Sequence, residues 1–323
     1  MWRLAGIITI ILLAGCSLSS PDREAGADLP PLEAFPRAAI GRGMLLFERY
    51  ISEPNGAYGA YVINGTSGES WTVPGDLDSP SVSPDGKRVL FARNGDIFVS
   101  DLRGRKPVRL VDDVEDEWIL MPGWSTDGEH IAYYAWYDVS EYETVLRVYR
   151  SRIVPTVSEP ELVHVADATD EHGTSPSIFA DGSLILARVY NDTSGIYVVR
   201  PGDRTRRWVI ATTGGSVMYA PAWSPDGTQI AYIEESNLTS FVQVKIVGKD
   251  GGDARTVASV SAPFTNQGQT ASLAWSGDGN TLAFTVRTVH QTSHVYVVGQ
   301  DGSGLTQITS LEGVWDYNVS WSR

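Results

Sequence analysis

The chain has 323 residues, 42% of them hydrophobic and 20% charged, with a formal net charge of −14. That balance is the balance of a globular protein, and the surplus negative charge argues against DNA or RNA as a partner. There is one cysteine, Cys16, so no disulfide can form within the chain. The 32 Gly, 17 Pro, 10 Trp and 14 Tyr favour pleated strands joined by tight turns.

Residues 1–15 have the shape of a secretory leader. Arg3 supplies a short positive start, and Leu4 to Leu13 is an apolar run too short to span a membrane. The run ends in Leu13-Ala14-Gly15-Cys16. This resembles a bacterial lipobox, which implies cleavage before Cys16 and acylation of its thiol, and often of the new amine. Several acyl chains on one residue give stable anchoring where a single chain does not. Ser17 resembles an outer-membrane sorting signal rather than an Asp-type retention signal. The expected location is therefore the cell envelope: the periplasmic side of the outer membrane in a diderm, the outer face of the cell membrane in a monoderm. Residues 16–40 follow as the lipidated Cys and a Pro-, Ala- and acid-rich stretch without apolar period, which reads as a flexible tether.

From residue 41 onward the chain repeats itself. PSVSPDGKRVLFAR begins at Pro80, PGWSTDGEHIAYYA at Pro122, PSIFADGSLILARV at Pro176, PAWSPDGTQIAYIE at Pro221 and SLAWSGDGNTLAFTV at Ser272. The aligned Asp-Gly pairs start at Asp85, Asp127, Asp181, Asp226 and Asp278, at spacings of 42, 54, 45 and 52 residues. Each unit reads as an apolar strand, a turn in which the Asp accepts backbone N–H groups and the Gly takes positive φ, and a second strand. A third strand, such as Ser293 to Val298, and a fourth, such as Val108 to Val111, complete a propeller blade of four antiparallel strands. The pattern resembles the TolB-type, WD-like propeller repeat over roughly residues 41–323. Asn318 to Ser322 repeats a first strand and Gly43 to Arg49 a second one that lacks its partner. The expectation is an all-β, six-bladed propeller over 41–323, closed where the C-terminal strand joins the N-terminal blade. Trp124, Trp223, Trp275 and Trp321 share one repeat position, so inter-blade packing explains them, and the turn carboxylates read as scaffold.

Function is then expected where the fourth strand of one blade leads into the next. Those connections carry much of the acid: GDLDS, DDVEDEW and DATDEHG at 75–79, 112–118 and 167–173. Six residues before the repeated strand-one position stand Asp76, Trp118, His172, Val217, Gln269 and Trp315, expected as a ring near the channel mouth. Trp118 and Trp315 suit a peptide, sugar or partner loop among carboxylates; equally, they cap the core beneath the loops. The candidate partner-binding set is Asp76, Glu115, Asp116, Glu117, Trp118, Asp170, Glu171, His172, Trp315 and Asp316. His290 with His294, and His172 beside Asp170 and Glu171, make no closed ligand set, so no metal or cofactor is expected. No Gly-x-Ser-x-Gly elbow or Walker-type loop is present, so the expected role is a monomeric binding platform and not an enzyme. The resemblance implies an envelope partner, a Pal-like lipoprotein or a basic peptide. TolB proteins carry an α/β domain before the propeller, and here only residues 17–40 stand in that place. The alternative is a cell-surface hydrolase or lyase acting on glycans or peptides at the same mouth.

Overall fold

The computed structural model describes residues 29–51, 57–112, 117–140, 143–153, 158–167, 176–190, 193–203, 205–236, 239–262, 271–287 and 292–322. A short 3-10 turn, Arg37–Ala39, precedes the strands. β1 (Met44–Ile51), β2 (Tyr58–Asn64) and β3 (Ser70–Val73) pair in sequence. Four discrete four-stranded sheets follow. The first holds β4 (Asp78–Val82), β5 (Arg88–Arg93), β6 (Asp96–Asp101) and β7 (Val108–Val111). The second holds β8 (Glu117–Trp124), β9 (His130–Ser140), β10 (Glu143–Arg152) and β11 (Glu161–Asp167). Then come β12 (Ser177–Ile178), β13 (Leu184–Tyr190), β14 (Thr193–Val199) and β15 (Arg207–Thr213), and after them β16 (Ser216–Trp223), β17 (Gln229–Ser236), β18 (Phe241–Gly248) and β19 (Arg255–Ser261). The last strands are β20 (Leu273–Trp275), β21 (Thr281–Arg287), β22 (Ser293–Gly299), β23 (Thr306–Gln307) and β24 (Val314–Trp321).

The propeller architecture is present, and the expectation of six separate blades is corrected. Four blades are discrete; the other eight strands form one continuous sheet, in the order β20-β21-β22-β24-β1-β2-β3 with β23 on β22. The fusion has a local cause. β23 is two residues long and covers β22 only at Tyr296 and Val297, which leaves the Ser293 end of that edge open to a parallel pairing with Trp315. Within this sheet the C-terminal β24 pairs antiparallel with β1, Leu45 opposite Trp321 and Ile51 opposite Val314. Ser322 clamps the seam: its Oγ accepts the Met44 N–H at 2.8 Å, and its own N–H reaches the Met44 carbonyl at 3.0 Å.

The repeated hairpin folds through a Ser–Asp pair. Ser224 Oγ donates to Asp226 Oδ1 at 2.7 Å and accepts the Gln229 N–H at 3.0 Å, while Gly227 takes φ +68°. The same bonds recur at Ser83 with Asp85 and at Ser276 with Asp278. Phe179 replaces the serine in the third hairpin, and its ring packs on Trp223 with centroids 5.7 Å apart. The repeated tryptophans tie neighbouring sheets together. Trp124 Nε1 donates to the Ser81 carbonyl at 3.0 Å and Trp275 Nε1 to the Ala222 carbonyl at 3.1 Å.

The inner strands share a second device. Ser79, Met121, Ala220 and Asn318 occupy one repeat position and all have φ near +50°. Each coincides with a break in register against the neighbouring strand, the signature of a β-bulge. These bulges bend β4, β8, β16 and β24 around an axial channel. At the hairpin end, β4, β8, β12, β16, β20 and β24 enclose a cavity of about 180 Å³ that Trp124, Trp223, Trp275 and Trp321 help to line. Further along the axis, Pro80, Ser81, Ala220, Pro221, Ser272 and Asn318 surround a smaller space of about 70 Å³.

Residues 29–40, the last part of the expected tether, lie on the eight-stranded sheet. Leu29, Leu32 and Phe35 pack against the cluster of Leu45, Phe47, Tyr61 and Val295, and Ile40 is fully buried within it. Burying a side chain of this size contributes roughly 1.5–3 kcal/mol. Among the described residues no helix is long and apolar enough to cross a membrane.

Candidate functional site

β1 reads Met-Leu-Leu-Phe-Glu-Arg-Tyr-Ile, an apolar strand interrupted by two adjacent charges. Strand alternation sends them to opposite faces. Leu46 and Glu48 look towards the β4 sheet; Leu45, Phe47 and Arg49 look towards β22. Both charged residues are buried, Glu48 at 1% and Arg49 at 0% exposure. They lie in the half of β1 away from the repeated hairpins, since Gly86 of the first hairpin sits against Met44 and Ser322.

On the first face, Glu48 is ringed by donors. Tyr58 Oη and the Asn318 side-chain amide contact its two oxygens, and the Ser79 N–H reaches Oε1 at 3.2 Å. Burial raises its carboxyl pKa to about 8; the bonds from Tyr58 and Asn318 oppose the rise, and the nearby Asp78 charge adds to it. The geometry accommodates a neutral acid. Tyr58 has one proton and also lies 2.8 Å from the Leu77 carbonyl, which can only accept. With Tyr58 donating to Leu77, the proton between Tyr58 and Glu48 comes from Glu48. Asn318 joins this buried acid to the axis, because the same residue lines the channel. Tyr317, which precedes it, stacks on Tyr58 with centroids 6.4 Å apart.

On the second face, Arg49 bridges two carboxylates. Its Nε and Nη2 bind Asp316 Oδ1 and Oδ2 at 2.6 and 2.9 Å, and its Nη1 and Nη2 bind Glu33 Oε2 and Oε1 at 2.7 and 3.1 Å. Burial alone would lower the Arg49 pKa; the bonds to Asp316 and Glu33 override it and raise it. Asp316 is raised because its desolvation outweighs the Arg49 fork. Glu33 sits at the edge and goes the other way: burial raises it, but the Arg49 bonds and charge bring it down to about 2. His294 lies in the same field, its pKa lowered by burial and its Nδ1 without a hydrogen-bond partner.

The candidate residues read from sequence fall in several places. Trp315 is half-buried at the start of β24, with the Arg287 guanidinium 4.8 Å from its ring centre. It pairs across the strands with Tyr50, which is exposed. Asp316 is not a surface carboxylate; it is fully buried in the Arg49 fork. Asp76 is half-buried, and its carbonyl accepts Arg93 Nε at 2.8 Å. Glu117 and Trp118 begin β8 opposite Tyr137 and Trp136. Glu115, Asp116, Asp170, Glu171, His172, His290 and Cys16 lie outside the described residues. Among the described residues no group of three or more His, Cys, Asp or Glu is placed to hold a metal. Glu48, Asp78, Tyr58 and Asn318 were not among the candidates, although the Glu-Arg pair inside an apolar strand was a visible signal.

No family model matches the chain. Among solved structures, TolB from Acinetobacter baumannii is 16% identical with a TM-score of 0.66, the match covering 87% of this chain and 67% of that one. A putative TolB from Agrobacterium tumefaciens is 17% identical with a TM-score of 0.56, covering 87% of this chain and 99% of that one. An oligogalacturonate lyase solved in complex with manganese is 13% identical with a TM-score of 0.57, covering 87% of this chain and 79% of that one. The expectation that the chain is not an enzyme is corrected: it rested on missing nucleophile motifs, and a lyase only 13% identical has a similar fold, so the absent motifs do not decide against catalysis. At 13% to 17% identity the likeness assigns architecture, and the chain has the β-propeller fold seen in the TolB structures.

Proposed function

We propose that the chain is a cell-surface hydrolase or lyase acting on glycans or peptides, with acid–base chemistry at the end of the channel away from the repeated hairpins. The observation that carries this reading is Glu48, a buried carboxyl raised to about 8 beside Asp78 and bonded to the channel-lining Asn318. Two carboxyl groups with different surroundings are how one site holds both a proton donor and a base near neutral pH. Glu48 would hold the proton, Tyr58 and Asn318 would orient its carboxyl, and Asp78 would supply the neighbouring charge. The test is turnover of acidic and neutral oligosaccharides and of peptides by the wild-type chain, Glu48→Gln and Asp78→Asn. Loss of at least about 100-fold in kcat for Glu48→Gln, with near-UV circular dichroism unchanged, supports it. Full turnover in that variant overturns it.

A second reading, a protein- or peptide-binding platform, is favoured by the Tyr50–Trp315 pair, an aromatic surface beside Arg287 at the same end of β1. The partner would be an envelope protein, Pal-like, or a basic peptide, met by this pair together with Trp118, Asp116 and Glu117. Pull-down from crosslinked cells with Trp118, Trp315, Asp116 and Glu117 replaced by alanine tests it; unchanged capture sinks it. Either reading places the chain in the envelope, held by acylated Cys16, and radiolabelled palmitate incorporation lost in Cys16→Ala is the corresponding test.

A further inference from the structure

Residues 29–40 belong to no strand, yet among the described residues an ion pair binds them to the propeller, and its receiving side is built entirely from the propeller. Glu33 presents its carboxylate to Arg49 Nη1 at 2.7 Å and Nη2 at 3.1 Å, and its Oε1 also accepts the Ser310 N–H at 3.2 Å. Arg49 comes from β1 and Ser310 from the connection before β24.

The receiving groups are held in place without Glu33. Asp316 grips the opposite edge of the guanidinium, and that carboxylate is fully buried. The Tyr61 and Phe47 rings, stacked on one another, lie 5.2 and 5.6 Å from the Arg49 Cζ and pack beside the guanidinium. The Asp316 fork fixes one edge of the guanidinium, and the other edge meets Glu33 beside the Ser310 N–H. A planar fork with an added amide is the geometry that recognises a carboxylate by two parallel bonds. Glu33 is 21% exposed where Arg49 is 0%, so the occupant, unlike the receptor, lies at the solvent edge.

We propose that this is a carboxylate-binding site of the propeller, filled in this state by the chain's own Glu33, and that it takes the carboxylate of a sugar acid or of a peptide C-terminus when residues 29–36 lift away. Ile40 is buried in the core and stays in place as the anchor; the segment before it is held by partly buried contacts, Leu29, Leu32 and Phe35 against the sheet and Tyr61 Oη donating to the Pro30 carbonyl at 2.6 Å. The site lies on the opposite face of β1 from Glu48, so either can fail without the other.

The test is chemical rescue in the full chain. Glu33→Ala should lower the Tm, and acetate should restore it saturably, while acetamide and chloride at equal ionic strength do not and wild type does not respond to acetate. N-acetyl-dialanine and glucuronate, each compared with its amide, then decide between the two carboxylate sources. Acetate acting alike on wild type and variant, or on neither, overturns the proposal. Should Glu33→Ala fail to fold, Glu33→Gln keeps the length of the side chain without its charge. Acetate must bind it more strongly than wild type, and equal binding overturns the proposal as well.

Discussion

Asn318, in the last strand, gives its side-chain amide to Glu48 in the first, so the ring closes on a buried acid. The carboxyl of Glu48 stands at about 8 in the folded chain against an ordinary 4.5. Between those values the folded state keeps a proton that the unfolded state has released. Stability should therefore fall as pH rises from about 4.5 to about 8 and stay level above, with no contribution below 4.5, where both states are protonated. Glu48→Gln is neutral throughout and should abolish this decline. Relative to wild type it should gain on the order of a few kcal/mol at pH 9 compared with pH 4 in urea titrations. Parallel pH profiles for the two proteins would count against a neutral Glu48.

Closure itself is testable at Trp321. The indole is buried at 8%, donates Nε1 to the Arg42 carbonyl at 3.1 Å, and sits in the strand that pairs with β1. Trp321→Ala should cost roughly 3–5 kcal/mol, and removal of residues 318–323 should lower the Tm sharply because it leaves the start of β1 an open edge. A truncated chain that melts with the wild type would show that the end of the pairing formed by Leu45 with Trp321 and Leu46 with Ser320 carries no stability.

The sequence showed the hairpins, the aromatic packing and the closing strand, because each depends on residues close together or on a repeated phase. It did not show that β22 would pair with β24. That pairing depends on how little of the β22 edge β23 covers, and two-residue strands leave no apolar period to read. Nor did it show the common bulge: Ser79, Met121, Ala220 and Asn318 share a repeat position but no side-chain chemistry, and nothing in the residue types announces a positive φ there. The Arg49–Asp316 pair is separated by 267 residues, and Asp316, read from the sequence as a surface acid, changes character once it is placed opposite a buried arginine.

The repeated turn carboxylates should behave as scaffold. Asp226 accepts Ser224 Oγ at 2.7 Å and the Thr228 N–H at 3.0 Å, and the Ser224 bond, chief among its contacts, lowers its pKa. Asp226→Ala should cost about 1 kcal/mol in urea titration and leave any turnover or partner binding at the Glu48 end unaltered. A large loss of function with little loss of stability would move the chemistry to the hairpin end, next to the tryptophan-lined cavity.

A large effect, comparable to that at Trp321, is expected at Arg49. Its removal leaves Asp316, at 0% exposure, without the cation that offsets its desolvation, and it also frees Glu33. Truncating one member of a buried pair costs about 3–5 kcal/mol, because the remaining charge stays desolvated. Arg49→Met keeps much of the volume and should show that loss. Asp316→Asn added to Arg49→Met removes the stranded charge, so the double variant should be more stable than Arg49→Met alone. Equilibrium unfolding of wild type, both single variants and the double variant gives the coupling directly. If the double variant is no more stable than Arg49→Met, the cost lies in lost packing against Phe47 and Tyr61 and not in the unpaired carboxylate.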